Sequence, residues 1–352
     1  MRIPRHGRNA ADFAVGEVYR HPWEVTIDAG MIAMFHASFL DAMPVFSSVE
    51  VARAMGLRDR PVPTLLLLNL GLSFSVHDVS EQAIAHLAYL DVRFPGPCYP
   101  GDTVTAASKV LGVTHTRTGD RAVVHVRTAL RAQSGDVVCA FERKALVPAG
   151  LLEGRTRAEP AGGPEPRFDE TRRQPMFTGT APHRSGFGRS FEDFAVGDVL
   201  VHAAGRTAGE SEHMQLSWLL RNTHPLHTDE IYAKTGGSFA GTRVVYGGLV
   251  LAWTAALASR DVAGDAIWDL GWADGAHPAG VVAGDTIYAA SKVIAKSEDG
   301  AVTFRLVGTK NVRADALLER GLDLFAPEAD KSQKIPEKVF EGTRTLLLRT
   351  RG

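Results

Sequence analysis

Two periodicities of apolar and polar positions run along this chain, and the switch from one to the other occurs twice. In Met214-Gln215-Leu216-Ser217-Trp218-Leu219-Leu220, the residues Met214, Trp218 and Leu219 fall at spacings that share one helical face. Pro225 predicts that this helix ends near Asn222, since proline pushes the residue before it out of helical geometry. A longer run follows Tyr246-Gly247-Gly248 and extends through Leu249 to Leu257, and an earlier counterpart covers Thr64 to Leu70. Both are apolar nearly all round, the pattern of a helix wrapped by a sheet. Elsewhere, Thr103 to Val110 and Ala122 to Thr128 are rich in β-branched residues and are separated by glycine-containing turns, which predicts antiparallel strands. The architecture implied is α+β: a central helix in a curled antiparallel sheet, present twice.

The repetition is visible in the residues themselves. Asp12-Phe13-Ala14-Val15-Gly16-Glu17-Val18 recurs as Asp193-Phe194-Ala195-Val196-Gly197-Asp198-Val199, an offset of 181 from Asp12 to Asp193. Pro100-Gly101-Asp102-Thr103-Val104 through Val110 recurs as Ala283-Gly284-Asp285-Thr286-Ile287 through Val293, an offset of 183. Two matched blocks in one order and at nearly one offset predict two copies of a single domain. Their expected limits are residues 1–149 and 191–326. A connector is expected over 150–190, where Pro160-Ala161-Gly162-Gly163-Pro164-Glu165-Pro166 can form neither a helix nor a central strand. A charged tail is expected over 327–352, with Lys331, Lys334, Pro336 and Lys338 leading to Leu346-Leu347-Leu348.

Composition narrows the function classes. The 352 residues suffice for two cores, and 39 basic residues nearly balance 40 acidic ones with no basic block, so nucleic acid is not an expected partner. No apolar stretch approaches the ~20 residues of a membrane span and no signal-peptide run opens the chain, so the expectation is a soluble, cytoplasmic protein without a membrane partner. Cys98 and Cys139 have neither metal-like spacing nor the number for a disulfide framework. His36, His125 and His202 have no partner motif, no His/Cys/carboxylate cluster has ligand spacing, and no glycine-rich phosphate loop follows a strand. Neither a metal nor any other cofactor is expected.

The densest chemistry is Arg221-Asn222-Thr223-His224-Pro225-Leu226-His227, two imidazoles, a guanidinium and an amide in a turn at a helix end. Such a turn is an exposed tip on a rigid platform, although two solvated turn histidines would read the same way. Together with the duplication, the segment resembles the MaoC-like (R)-specific enoyl-CoA hydratase family in its double hot-dog form, whose pattern is G-D-x-N-P-[hydrophobic]-H. Pro225-Leu226-His227 matches its end, and Val245-Tyr246-Gly247-Gly248-Leu249 resembles its oxyanion turn. Arg221, Asn222 and His224 depart from the family's Gly, Asp and Asn. In the first copy, Asp41-Ala42-Met43-Pro44-Val45-Phe46 keeps the acid but has Phe46 for the histidine, which implies a degenerate site. The turn, with Leu87 to Phe94 and Tyr99-Pro100-Gly101-Asp102, is similar to the mesaconyl-CoA hydratases, also called β-methylmalyl-CoA dehydratases.

The resemblance implies a hydro-lyase acting on an acyl-CoA thioester, reversibly converting mesaconyl-CoA to β-methylmalyl-CoA, with CoA as part of the substrate. His227 is the expected acid/base, the Gly248 amide the oxyanion donor, and Asn222 a water-orienting group. His224 is a candidate second acid/base, with Asp41 a more distant one, and a single His227 could also do both steps. Arg221, Tyr246 and Gly247 are expected to bind substrate, Arg221 by forking a substrate carboxylate. Asn222 would also spare that carboxylate the repulsion of an aspartate, about 4 kcal/mol at 4 Å and an effective dielectric of 20. Alternatives are a hydratase of another 2-enoyl-CoA, a hot-dog thioesterase, and a non-catalytic acyl-CoA or acyl-carrier binding protein. A homodimer or larger homo-oligomer is expected, a monomer being possible because the chain already contains a pseudo-dimer.

Overall fold

The computed structural model describes residues 4–156, 166–168, 176–180, 182, 189–328 and 334–351. Pro160 to Glu165 of the expected connector and Lys331 of the expected tail lie outside the described residues. The first half runs β1 (Val18–Thr26), α1 (Ala29–Ser38), α2 (Pro44–Ser47), α3 (Val49–Ala54), α4 (Thr64–Ser75), β2 (Ala85–Arg93), β3 (Thr103–His115), β4 (Arg121–Ala132) and β5 (Val137–Pro148). The second runs β6 (Val199–Val201), β7 (Arg206–Thr207), α5 (Glu210–Leu219), α6 (Glu230–Tyr232), α7 (Gly247–Val262), β8 (Ala266–Ala276), β9 (Thr286–Lys296), β10 (Ala301–Lys310), α8 (Ala314–Glu319) and β11 (Lys338–Leu348).

All strands join one sheet in the order β1-β3-β4-β5-β2-β8-β11-β10-β9-β6, with β7 also on β9. The order is a palindrome of equivalent strands, and the halves meet at the antiparallel pair β2 and β8, where Tyr89 faces Gly275 and Val92 faces Trp272. This is the double hot-dog arrangement. Every residue of α4 is buried, as are most of α7, because each is enclosed by its half of the sheet and packs on the other. One apolar core runs through both halves, from Phe35 and Leu66 to Trp253 and Phe304.

The repeated blocks are turns whose backbone restricts the residues allowed. Gly101 and Gly284 have φ of 90° and 92°, left-handed values that glycine adopts without a Cβ clash. Asp102 and Asp285 close the same turns by accepting from the amides of Tyr99 and Val282. A third repeated device is buried. His21 bridges Asp78 and Ser108 at 2.9 and 2.8 Å, and His202 bridges Asp261 and Ser291 at 2.7 and 2.8 Å, tying the first strand of each half, or the residue just beyond it, to β3 or β9 and to the C-terminal end of the central helix or the residues after it.

Two expectations change. The segment expected as a tail contains β11, which lies between β8 and β10 with Leu346 and Leu348 buried. The second half inserts α8 before its last strand, where the first half has a short hairpin. The offset therefore grows from 183 at Ser108 and Ser291 to 201 at Arg143 and Arg344, which stand opposite Tyr89 and Trp272 in their ladders. Trp218, expected on the packed face of α5, is 61% exposed; the buried face is His213, Leu216 and Ser217, one step round the helix.

Candidate active site

The His227 turn is built by the way α5 stops. Arg221 adopts φ +66°, its amide donates to the Trp218 carbonyl at 3.0 Å, and the Asn222 amide donates to Ser217 at 2.9 Å. This is a Schellman ending, which puts a left-handed residue at the position where the family pattern has glycine. The side chain of Arg221 is exposed and is not among those lining the cavity described below. The cavity wall described below therefore does not include Arg221, which was expected to hold a substrate carboxylate.

Beyond the stop, the Asn222 side chain folds onto its own backbone, its Oδ1 accepting from the His224 amide at 3.0 Å. That fixes the amide orientation and leaves Nδ2 buried without a described partner. The unpartnered group of Asn222 is thus a donor. His224 accepts at Nδ1 from the Leu226 amide at 3.1 Å and donates from Nε2 to the Ala83 carbonyl at 3.2 Å. Both its nitrogens are used, which corrects its candidacy as second acid/base; it is a clamp between the turn and the first half.

His227 is different. Its Nδ1–H donates to the Val244 carbonyl at 2.8 Å, so Nε2 carries the lone pair, and no described group bonds to it. Burial lowers its pKa to about 3, with neighbouring His224 acting in the same sense. The ring is neutral, with its Nε2 lone pair unengaged. Tyr246 stands beside it, ring centroids 5.5 Å apart, and caps the start of α7. The amides of Gly247 and Gly248, at the first two positions of that helix, have no intrahelical acceptor and sit at the positive end of its dipole. Gly247 forms cavity wall, and a Cβ there would lie 2.9 Å from His277 Nε2. A Cβ on Gly248 would lie 2.2 Å from Asn69 Oδ1 on α4, so this glycine also permits the two central helices to touch.

Asn222, His224, His227, Tyr246 and Gly247 line one cavity, and His227 and Gly247 also border an adjoining cleft lined by Phe239, His277 and Lys310; Gly248 lies just behind this wall. The opposite wall comes from the first half and was not foreseen from the sequence: His86, Tyr89 and Arg143. Tyr89 donates to His277 Nε2 at 3.1 Å, while His277 Nδ1–H donates to Val339; burial lowers the His277 pKa to about 4. Arg143 is 3% exposed and burial lowers its pKa to about 10. The hint in the sequence was alternation: Cys139, Phe141, Arg143, Ala145 and Val147 share one face of β5, so a lone arginine interrupts an apolar stripe.

The equivalent turn of the first half keeps the side-chain bond of the acid position but not the left-handed helix stop, and it has no cavity chemistry. Asp41 Oδ1 accepts from the Met43 amide at 3.0 Å, matching Asn222 and His224, but Phe46 stands where His227 does and packs on Trp268 at 5.6 Å. Thr64 and Leu65 replace the glycine pair. Asp41 does not line the cavity, which removes it as the distant proton donor. Both cysteines are buried, and burial pushes the Cys98 thiol up to about 12. Among the described residues no three His, Cys, Asp or Glu side chains converge as metal ligands, and no helix is long and apolar enough to cross a membrane.

Comparison with known proteins agrees with the geometry. The family model described as mesaconyl-CoA hydratase matches residues 3–314. The chain is 32% identical to a mesaconyl-CoA hydratase of Cereibacter sphaeroides, covering 95% of this chain and 96% of that protein. It is 31% identical to a beta-methylmalyl-CoA dehydratase of Chloroflexus aurantiacus, covering 97% of each. Among solved structures, a putative MaoC domain protein dehydratase from Chloroflexus aurantiacus superposes with a TM-score of 0.82 at 28% identity, over 100% of this chain and 99% of that one. A conserved hypothetical protein of Mycobacterium tuberculosis with a double hotdog fold gives 0.73 at 19% identity, over 98% and 99% respectively, a likeness of fold. The chain belongs to the mesaconyl-CoA hydratase family.

Proposed function

We propose that this protein adds water reversibly across the double bond of an enoyl-CoA thioester, with mesaconyl-CoA and β-methylmalyl-CoA as the substrate pair. The observation that carries the reading is the locked His227 ring: Nδ1–H held by Val244, Nε2 open, and a glycine-led helix start on the same cavity wall. The names of the two relatives support the choice of substrate.

The residues can complete hydration without another proton carrier. A water donates one hydrogen to His227 Nε2 and accepts from Asn222 Nδ2. As its oxygen bonds to the β-carbon, the π electrons move to the thioester oxygen, where the amides at the start of α7, Gly248 and its neighbour Gly247, receive the charge. The imidazolium then returns its proton to the α-carbon, the enolate collapses to the thioester, and His227 is neutral again. Dehydration is the same path reversed. An aspartate at position 222 would present an anion where Asn222 presents a donor, next to a substrate that already carries a carboxylate on its β-carbon.

The test is spectrophotometric. Purified protein should consume the enoyl-thioester absorbance of mesaconyl-CoA and yield β-methylmalyl-CoA without free thiol. His227→Ala should lower kcat about 10²–10⁴-fold with an unchanged melting curve. Free CoA thiol as the product, or full activity in the variant, would refute the assignment.

A further inference from the structure

The double hot-dog places two arginines at equivalent positions, and their surroundings differ in one respect. Arg344 on β11 stands opposite Trp272 on β8, and Arg143 on β5 stands opposite Tyr89 on β2. Both are 3% exposed. Arg344 is neutralised within the fold: its Nε and Nη2 donate to Asp269 Oδ2 at 3.1 and 2.7 Å. The residue equivalent to Asp269, at the offset of 183 that relates Tyr89 to Trp272, is His86. His86 is held neutral by burial, and neither of its ring nitrogens has a described partner.

Arg143 therefore lacks the carboxylate its twin has. It donates from Nη1 to Ser80 Oγ at 3.0 Å and from Nη2 to the Ser75 carbonyl at 3.2 Å, both neutral acceptors. Its Nε is buried and unpartnered, and no described acid forms an ion pair with it. A buried cation without a counter-ion is unfavourable unless something supplies the charge, and this one lines the cavity that holds His227, Asn222 and Gly247. Planar, bidentate donors suit a carboxylate.

We infer that Arg143 is the specificity-determining residue of the site, anchoring a free carboxylate on the acyl group of the substrate as Asp269 satisfies Arg344 in the other half. The inference rests on the enoyl-CoA reading above and adds how a dicarboxylic acyl group is told from a monocarboxylic one. His86 is part of the device: a neutral side chain at that place keeps the arginine available.

The experiment measures binding, apart from turnover. Calorimetry compares 2-methylsuccinyl-CoA, the unreactive saturated analogue of mesaconyl-CoA, with 2-methylbutyryl-CoA, in which a methyl group replaces the carboxylate. The wild-type protein should prefer the dicarboxylic ligand by about thirtyfold, and Arg143→Met should bring the ratio of the two Kd values close to one. His86→Asp, which keeps the arginine and supplies an internal carboxylate, should also collapse the ratio; it serves where the methionine variant does not fold. A wild-type ratio near one, or a ratio that survives in both variants, overturns the anchor. Hydration of crotonyl-CoA together with a collapsed wild-type ratio would leave the hydratase reading standing without the anchor. A preserved, Arg143-dependent ratio in a protein that hydrates no enoyl-CoA would do the reverse.

Discussion

Two side chains of the His227 turn can each be tested alone. Asn222 holds its carbonyl oxygen on the His224 amide and leaves its N–H group unpartnered. Asn222→Asp keeps that internal bond but replaces a donor by an anion. With the charge about 4 Å from the substrate carboxylate, the repulsion is of the order of 4 kcal/mol at an effective dielectric of 20. The expected outcome is a kcat/KM for mesaconyl-CoA reduced by at least about a hundredfold. Crotonyl-CoA should lose much less, and equal losses would dismiss the electrostatic account. Arg221 is a different case, an exposed side chain on a left-handed backbone. Arg221→Gly should stabilise the protein by about 0.5–1 kcal/mol in urea melts, with turnover within twofold of wild type. A large loss of activity would return Arg221 to the site.

At the scale of elements, α7 has two duties at its first turn, and its glycines divide them. Gly248→Ala would press a methyl group onto Asn69 and the Tyr246 ring, with contacts of 2.2 and 2.7 Å before relaxation. A cost of about 1–3 kcal/mol is expected, visible as a lower Tm. Gly247→Ala meets the His277 ring at the cavity wall, a less severe approach of 2.9 Å, so its effect should appear as a raised KM with a smaller change in Tm. The elements themselves were largely legible. The all-apolar runs at Thr64–Leu70 and Leu249–Leu257 became the enclosed helices, and the repeated Gly-Asp blocks survived because their turns demand them. What could not be read was the far wall of the cavity. His86, Tyr89 and Arg143 lie on strands of the other half, more than 80 residues from His227 along the chain, and only the pairing of β2 with β5 and β8 brings them across. The last strand was hidden for a related reason, since the insertion carrying α8 breaks the offset by which its partner could have been recognised.

For the molecule as a whole, neutral histidines in the interior set an acid limit on stability. His227 and His277 have folded pKa values of about 3 and about 4, while their unfolded values lie near 6.5. Below pH 6.5 the unfolded chain takes up protons that the folded one refuses. The stability is therefore complete above about pH 6.5 and is lost as the pH falls toward 4, by up to about 1.4 kcal/mol per pH unit for each histidine. Tm measured from pH 7.5 to 4.5 should fall accordingly, and His277→Gln should flatten the decline; an unchanged slope would place the acid sensitivity elsewhere. The same neutrality means that activity should not titrate away near pH 6 through His227, whose lone pair persists well below that.

The join at β2 and β8 has a consequence for how such a site could arise. In an assembly of two identical single-domain chains, positions 86 and 269 would be encoded by one codon, and histidine in one half with aspartate in the other would be impossible. Any change that exposed one arginine would expose both. Fusing the copies into a single reading frame separates their inheritance, so one half can keep its arginine quenched by Asp269 while the other leaves Arg143 without an internal counter-ion. Asymmetry of this kind is heritable only after fusion.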